Sequence, residues 1–213
     1  MLVVCTGTAT EVGKTWVGAS VLSRLRSDGV RVSARKPAQS FDPDAGEPTD
    51  AELLGLATGE PALTVCAPQR WYPVAFAPPM AADSLAAPTI ALTSLVEEVM
   101  WPTPFPDVRW VETVGGVRSP IAHDGDSADL CDAMRPDIVV LVADAGLGTI
   151  NAVRTSIAAL GAHRVIVFLN RYDPGVELHE RNRAWLAERH NIGAEVDVAA
   201  LAAALVAVAV AVA

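Results

Sequence analysis

Short apolar runs, closed by glycine, proline or an acid, alternate along the chain with segments whose apolar positions recur at helical spacing. The first run, LVVCT from Leu2, reads as a strand that breaks into a glycine-bounded loop ending in Gly13-Lys14-Thr15. From Thr15 to Asp28 the apolar residues Val17, Val21, Leu22 and Leu25 keep a helical period, which stops at Asp28-Gly29. Val30 to Lys36 is a second strand, closed by Pro37. Strand, helix and strand make one βαβ unit, whose right-handed crossover brings the carboxyl ends of its strands, and with them Lys14 and Lys36, to one crevice.

Residues 38–48 read as loop, after which Thr49 caps a helix with Asp50 and Glu52 in its first turn and Leu53, Leu54 and Leu56 on its apolar face. Pro61 to Pro88 is proline-rich without a clear period and reads either as a lid facing a substrate or as an irregular surface connection. Thr89 to Met100 predicts a helix, Asp107 to Glu112 (DVRWVE) a strand ending in an acid, and Ser127 to Met134 a short helix. Asp137 to Asp144 (DIVVLVAD) is the most apolar strand, which places it centrally with both faces buried. Gly146 to Asn151 opens a helix running to Leu160, Arg164 to Asn170 is a further strand, and Glu177 to His190 a charged helix. The alternation predicts an α/β fold, a mostly parallel sheet with helices on both faces, in a single domain spanning residues 1–213. The tail, Val198 to Ala213, is Ala, Val and Leu without a charge. It is shorter than the roughly twenty residues that cross a bilayer, so it is expected to pack on the core or on a second subunit. Its period-two VAVAVAVA and its preceding alanines leave strand or helix open.

Composition narrows the function. The chain of 213 residues is 51% apolar with a formal net charge of −9, which excludes broad contact with nucleic-acid backbone. Cys5, Cys66 and Cys131 are too scattered for a metal knuckle and odd in number, so buried thiols in a reducing cytoplasm are expected. The first residues form a core strand and lack the features of an export signal.

The chemistry gathers at the strand ends, where open α/β sheets bind ligands. A loop turning into a helix offers consecutive N–H groups and the positive end of the helix dipole to phosphate, and Gly7 and Gly13 allow close approach. Residues 10–15 (Thr10, Glu11, Val12, Gly13, Lys14, Thr15) would cradle a nucleotide, with Lys14 on the β- and γ-phosphates and the Thr15 hydroxyl on Mg²⁺. Five residues, Thr8 to Val12, separate the glycines, where the common phosphate loop has four. Thr15, Asp50 and Glu112 supply the oxygen donors that a nucleotide-bound Mg²⁺ wants. For Asp50 the plain alternative is a dipole-compensating acid, and for Glu112 a solvated strand end. Lys36, beside Lys14, would offset charge as a phosphoryl group moves.

Five blocks in order, Gly7 to Thr15 with its extra residue, Lys36-Pro-Ala-Gln-Ser40, Thr49-Asp50, Val111-Glu112 with Gly115-Gly116, and Leu147-Gly148-Thr-Ile-Asn151, resemble dethiobiotin synthetase, a P-loop NTPase-like family, over residues 2–172. The resemblance implies an ATP-dependent cyclo-ligase with Mg²⁺ as cofactor and ATP as co-substrate. A diamino acid, 7,8-diaminononanoate, would take up CO₂ as a carbamate, receive the γ-phosphoryl of ATP, and close a cyclic urea. It implies Lys14, Lys36 and Thr10 as catalytic residues, Lys36 with Thr10 and Ser40 on the carbamate, and Asn170 on adenine. Gly148, Thr149 and Asn151 would hold the substrate carboxylate from a neighbouring subunit, so a homodimer is implied; a plain glycine-rich helix start is the alternative reading of that segment. Three departures stand out. Ala9 replaces the family's loop acid, Thr113-Val114 replaces two small residues and is expected to crowd the substrate, and no Gly-x-Ile-Pro strand is recognisable after Asn191. Two other classes remain for comparison. A regulatory or partitioning ATPase would carry a signature lysine where Ala9 stands, and a nucleotide-independent binding module would not need Lys14 and Thr15.

Overall fold

The computed structural model describes residues 1–212; Ala213, the last residue of the apolar tail, lies outside them. In chain order the elements are β1 (Leu2–Gly7), α1 (Lys14–Ser27), β2 (Val32–Arg35), β3 (Gln39–Ser40), α2 (Asp50–Thr58), α3 (Ala62–Val65), β4 (Trp71–Tyr72), α4 (Pro78–Ser84) and α5 (Leu92–Glu97). There follow β5 (Val108–Glu112), β6 (Pro120–Ala122), β7 (Gly125–Asp126), α6 (Ser127–Met134), β8 (Ile138–Asp144), α7 (Thr149–Leu160), β9 (Val165–Asn170), α8 (Glu177–His190), β10 (Ala194–Glu195) and α9 (Val198–Val212).

Six strands form one sheet in the order β10-β9-β8-β1-β5-β2, and all its pairings are parallel. Strand β8 lies inside it, between β9 and β1, with Ile138 to Ala143 buried. Alternate side chains of the strands feed two apolar layers, the period-two consequence of the pleat. On one face Val3, Cys5, Trp110, Val140 and Phe168 meet α1, α2 and α9. On the other Val4, Val111, Leu141 and Leu169 meet α6, α7 and α8. The sheet with helices on both faces is thus as the alternation predicts. Strands β1 and β2, read as one βαβ unit, are not neighbours: β5 pairs with both and lies between them.

The proline-rich stretch is not an irregular connection. It supplies α3, β4 and α4; β4 pairs with β3, and Tyr72, Ala81 and Ala82 join Ile90, Leu95, Ile121 and Leu130 in a third apolar cluster. The helix expected over Thr89 to Met100 is shorter, because the backbone of Ile90 is already committed to His123: Ile90 N donates to His123 Nδ1 at 2.9 Å, and His123 N donates to Ile90 O at 2.9 Å. The tail is helix. Leu201, Leu205 and Val208, one face of it, are buried against the α1 side of the sheet, and Asp197 accepts from Ala200 N at its start. Among the described residues no helix is long and apolar enough to cross a membrane.

Candidate active site

The loop between β1 and α1 is built for close approach. Gly13 lies in the left-handed region at φ 90°, and a Cβ there would come within 2.1 Å of Asn170 Nδ2. At Gly7 a Cβ would sit 2.9 Å from Val12 Cγ2 and 3.1 Å from Lys14 Cδ. Lys14 folds back over the loop and donates to Ala9 O at 3.1 Å, and burial, then the charge of Lys36, lowers its pKa. The departure at Ala9 therefore leaves its backbone carbonyl as the partner of the loop lysine.

Three elements converge beside this loop. Lys36 directly follows β2, β5 ends in Glu112, and the N-terminus of α2 presents Asp50. The Lys36 ammonium lies 2.7 Å from Asp50 Oδ2, 2.8 Å from Glu112 Oε1 and 2.9 Å from Thr113 O, so its three donors are all satisfied. Burial acts to lower the Lys36 pKa, but the two carboxylates outweigh it and the net shift is upward. Asp50 and Glu112 then divide. Burial pushes the Glu112 carboxyl up, only partly opposed by Lys36 and reinforced by Asp50, whereas at Asp50, whose side chain is 40% exposed, Lys36 overcomes burial and holds the carboxyl low. One ammonium between two carboxylates neutralises one of them, and the more exposed carries the charge more readily.

Thr15 completes the cluster. Its Oγ1 lies 2.6 Å from Asp50 Oδ1 and 2.8 Å from Glu112 Oε1. Three sequence-expected donors thus come to one point from positions 35 and 97 residues apart in the chain. Glu112 Oε2 is buried and has no partner among the described residues, an acceptor that a cation or its water would satisfy. Among the described residues no group of three His, Cys, Asp or Glu stands together as a metal cage. Two carboxylates and a hydroxyl fit a hard ion that also takes phosphate oxygens and water.

Lys14, Thr15, Lys36, Ser40 and Asp50 line one cavity of about 310 Å³, which Thr10 and Glu11 also border. Asp50 is held there by a capping box between Thr49 and Glu52 and by Gln39, whose Oε1 accepts from Ala51 N at 3.0 Å. The Ser40 hydroxyl donates to Phe76 O, leaving its lone pairs to the cavity. Of the two bulky departures, Val114 lines this cavity but Thr113 does not crowd it: Thr113 is fully buried, and its hydroxyl donates to Thr6 Oγ1 at 3.0 Å.

A second cavity, of about 500 Å³, adjoins the first at Gly13 and is lined by Trp16, Asn170, Tyr172 and Val196. Asn170 Nδ2 donates to Val12 O at 2.9 Å, tying β9 to the loop. Strand β10 stands where no Gly-x-Ile-Pro segment is recognisable and carries Val196 to this cavity, so the missing motif is replaced by a short strand that its sequence does not announce. Gly148, Thr149 and Asn151, at the start of α7, line neither cavity. In a third cavity, of about 430 Å³, the α7 wall is made by Thr155, Ser156 and Ala159, facing Thr8 to Thr10.

Two residues with no signal in the sequence brace the site. Arg171, in the left-handed region at φ 57°, pairs with Asp144 Oδ2 at 2.9 Å and donates to Glu11 O at 2.8 Å. Asn182, buried in the charged α8, donates to Ala145 O and Gly146 O and so fixes the turn before α7.

The profile of a family described as an AAA domain matches residues 2–201. The chain is 35% identical to the ATP-dependent dethiobiotin synthetase BioD of Anaeromyxobacter dehalogenans (strain 2CP-C), over 94% of its own length and 93% of the relative's. It is 36% identical to the protein of that name from Haloferax mediterranei, over 87% of the chain and 74% of the relative. Among solved structures, the signal recognition particle receptor FtsY from Elizabethkingia anophelis superposes with a TM-score of 0.53 at 15% identity, a likeness of fold. It covers 91% of this chain, which spans 56% of that receptor chain.

Proposed function

Because the chain belongs to the ATP-dependent dethiobiotin synthetase family, we propose that it is an ATP-dependent cyclo-ligase that carboxylates 7,8-diaminononanoate with CO₂ and closes the cyclic urea through a phosphorylated carbamate. The observation that carries this reading is the meeting of Lys36, Asp50, Glu112 and Thr15 beside a phosphate loop.

One amine adds to CO₂ and loses a proton, giving a carbamate. A carbamate oxygen takes the γ-phosphoryl group and ADP leaves. The second amine then adds to the carbamate carbon, phosphate departs with its electron pair, and the amine proton is released as the ring closes. Lys14 and the loop N–H groups, with Glu11, Val12 and Gly13, hold the phosphates, and Asn170 faces the base. Lys36, with Thr10 and Ser40, holds the carbamate and the charge that develops on it, and such positioned charge is the main catalytic contribution in phosphoryl transfer. Thr15, Asp50 and Glu112 would hold a Mg²⁺, which would offset negative charge on the nucleotide's phosphates.

Gly148, Thr149 and Asn151 are assigned to the substrate carboxylate of a neighbouring subunit in a homodimer. The N–H groups at the start of α7 suit an anion, and the adjoining Leu147 is 92% exposed. Three buried, free cysteines suit a reducing cytoplasm. The test is mass spectrometry after incubation with the diamino acid, bicarbonate and Mg-ATP. A product heavier than the diamine by CO₂ less water is expected, and its absence from protein that binds Mg-ATP would overturn the assignment.

A further inference from the structure

We propose that Trp16 is the platform on which the nucleobase of the triphosphate stacks. The proposal rests on the nucleotide reading above and adds to it a residue that the phosphate loop does not imply.

Trp16 follows Lys14 and Thr15 in the first turn of α1, and 57% of it is exposed. An indole this open offers an aromatic face that a ligand can cover. It borders the 500 Å³ cavity, and Gly13 borders both that cavity and the one holding Lys14 and Thr15. A molecule whose phosphates lie on the loop therefore continues past Gly13 into the space beside Trp16.

The other rings of that cavity are already engaged. Tyr172 faces His179 at 6.1 Å between ring centroids and has the Arg183 guanidinium 5.9 Å from its ring centre, and Phe168 is buried in the core. Among the described residues Trp16 has no aromatic or cationic partner on its ring. Asn170, which lines the same cavity, adds an edge to the face. With its Nδ2 spent on Val12 O, Asn170 keeps its carbonyl oxygen for a ligand, an acceptor suited to a base that carries an exocyclic amine. A planar heterocycle between an open indole and an amide acceptor is the occupant this chemistry fits. Stacking on an aromatic face uses what every base has, and the amide selects among them.

Calorimetric titration of the wild type, Trp16→Ala and Trp16→Phe with Mg-ATP and, separately, with Mg-tripolyphosphate tests the platform. Trp16→Ala should bind Mg-ATP about ten- to hundredfold more weakly, the usual worth of one base–aromatic stack. It should bind tripolyphosphate as the wild type does, and Trp16→Phe should recover most of the loss. As a second readout, Mg-ATP should quench indole fluorescence in the wild type but not in Trp16→Phe, which keeps a ring at that position. Unchanged Mg-ATP affinity in Trp16→Ala would overturn the proposal, and so would an equal loss for tripolyphosphate, which would place the effect on the loop. A wild type that bound neither ligand would overturn the nucleotide reading itself, an outcome distinct from any behaviour of the variants.

Discussion

Lys36 Nζ lies 2.8 Å from Glu112 Oε1, and the two side chains are 2% and 0% exposed. A lysine and a carboxyl group taken this far from water persist only where each is also held by other groups. Lys36 has Asp50 and Thr113 O, and Glu112 has Thr15. On the proposed reaction Lys36 acts on charge that appears only as the phosphoryl group moves. Lys36→Ala should therefore lower turnover by about two to three orders of magnitude, the usual cost of removing one such donor, while nucleotide affinity changes by far less. Steady-state kinetics set beside equilibrium binding make the comparison. Equal losses in both would reduce Lys36 to a binding residue.

Glu112 carries the unpartnered buried oxygen, and its isosteric replacement separates metal holding from architecture. Glu112→Gln keeps the shape, and its amide oxygen can still accept from Thr15, but the anionic donor is lost. The Mg²⁺ concentration needed for half-maximal nucleotide binding should rise by about ten- to hundredfold or more, since even outer-shell changes at metal sites cost that much. A titration of Mg²⁺ at fixed ATP reads this directly. An unchanged midpoint would remove Glu112 from the metal set.

The Arg35–Glu60 ion pair, whose side chains are 7% and 15% exposed, concerns stability. Glu60 accepts from Ser33 Oγ at 2.7 Å, Ala34 N at 2.9 Å and Arg35 Nη1 at 2.8 Å. Burial alone would raise its carboxyl, but these donors outweigh it and hold it below the ordinary 4.5. A depressed native pKa means that the unfolded chain binds the proton more readily. The contribution is thus fully present above 4.5 and lost as pH falls through the native value. Glu60→Gln should cost about 3–5 kcal/mol at neutral pH, because Arg35 is left buried without its counter-charge, and the gap to wild type should narrow in acid. Denaturant unfolding at both pH values checks it, and a gap that widened in acid would contradict the linkage.

How much of this is legible in the sequence depends on how far each feature reaches along the chain. The phosphate loop and α1 are local: a strand, two glycines and a helical period within one short stretch. The apolar run of β8 reveals its central place because both its faces are buried. Lys36, Asp50 and Glu112 were readable as strand-end or helix-start residues, since a parallel sheet brings such ends to one side. Their mutual distances were not, because β5 enters between β1 and β2 only through long-range pairing. Strands β3, β4, β7 and β10 hold two residues each, too few to show a period. The tail became helix because Leu201, Leu205 and Val208 dock on a surface that the tail itself does not encode. Arg171 and Asn182 act through backbone carbonyls, which carry no signature in side-chain pattern.

On the proposed reaction the loop lysine, the buried Lys36 and the Thr15, Asp50, Glu112 set serve one coupled sequence of steps. Release of inorganic phosphate from Mg-ATP, measured with the diamino acid and bicarbonate each present or withheld, reads that coupling. Phosphate release should rise sharply only when both are present, and in step with the cyclic product. A rate that ignored the diamino acid would contradict it.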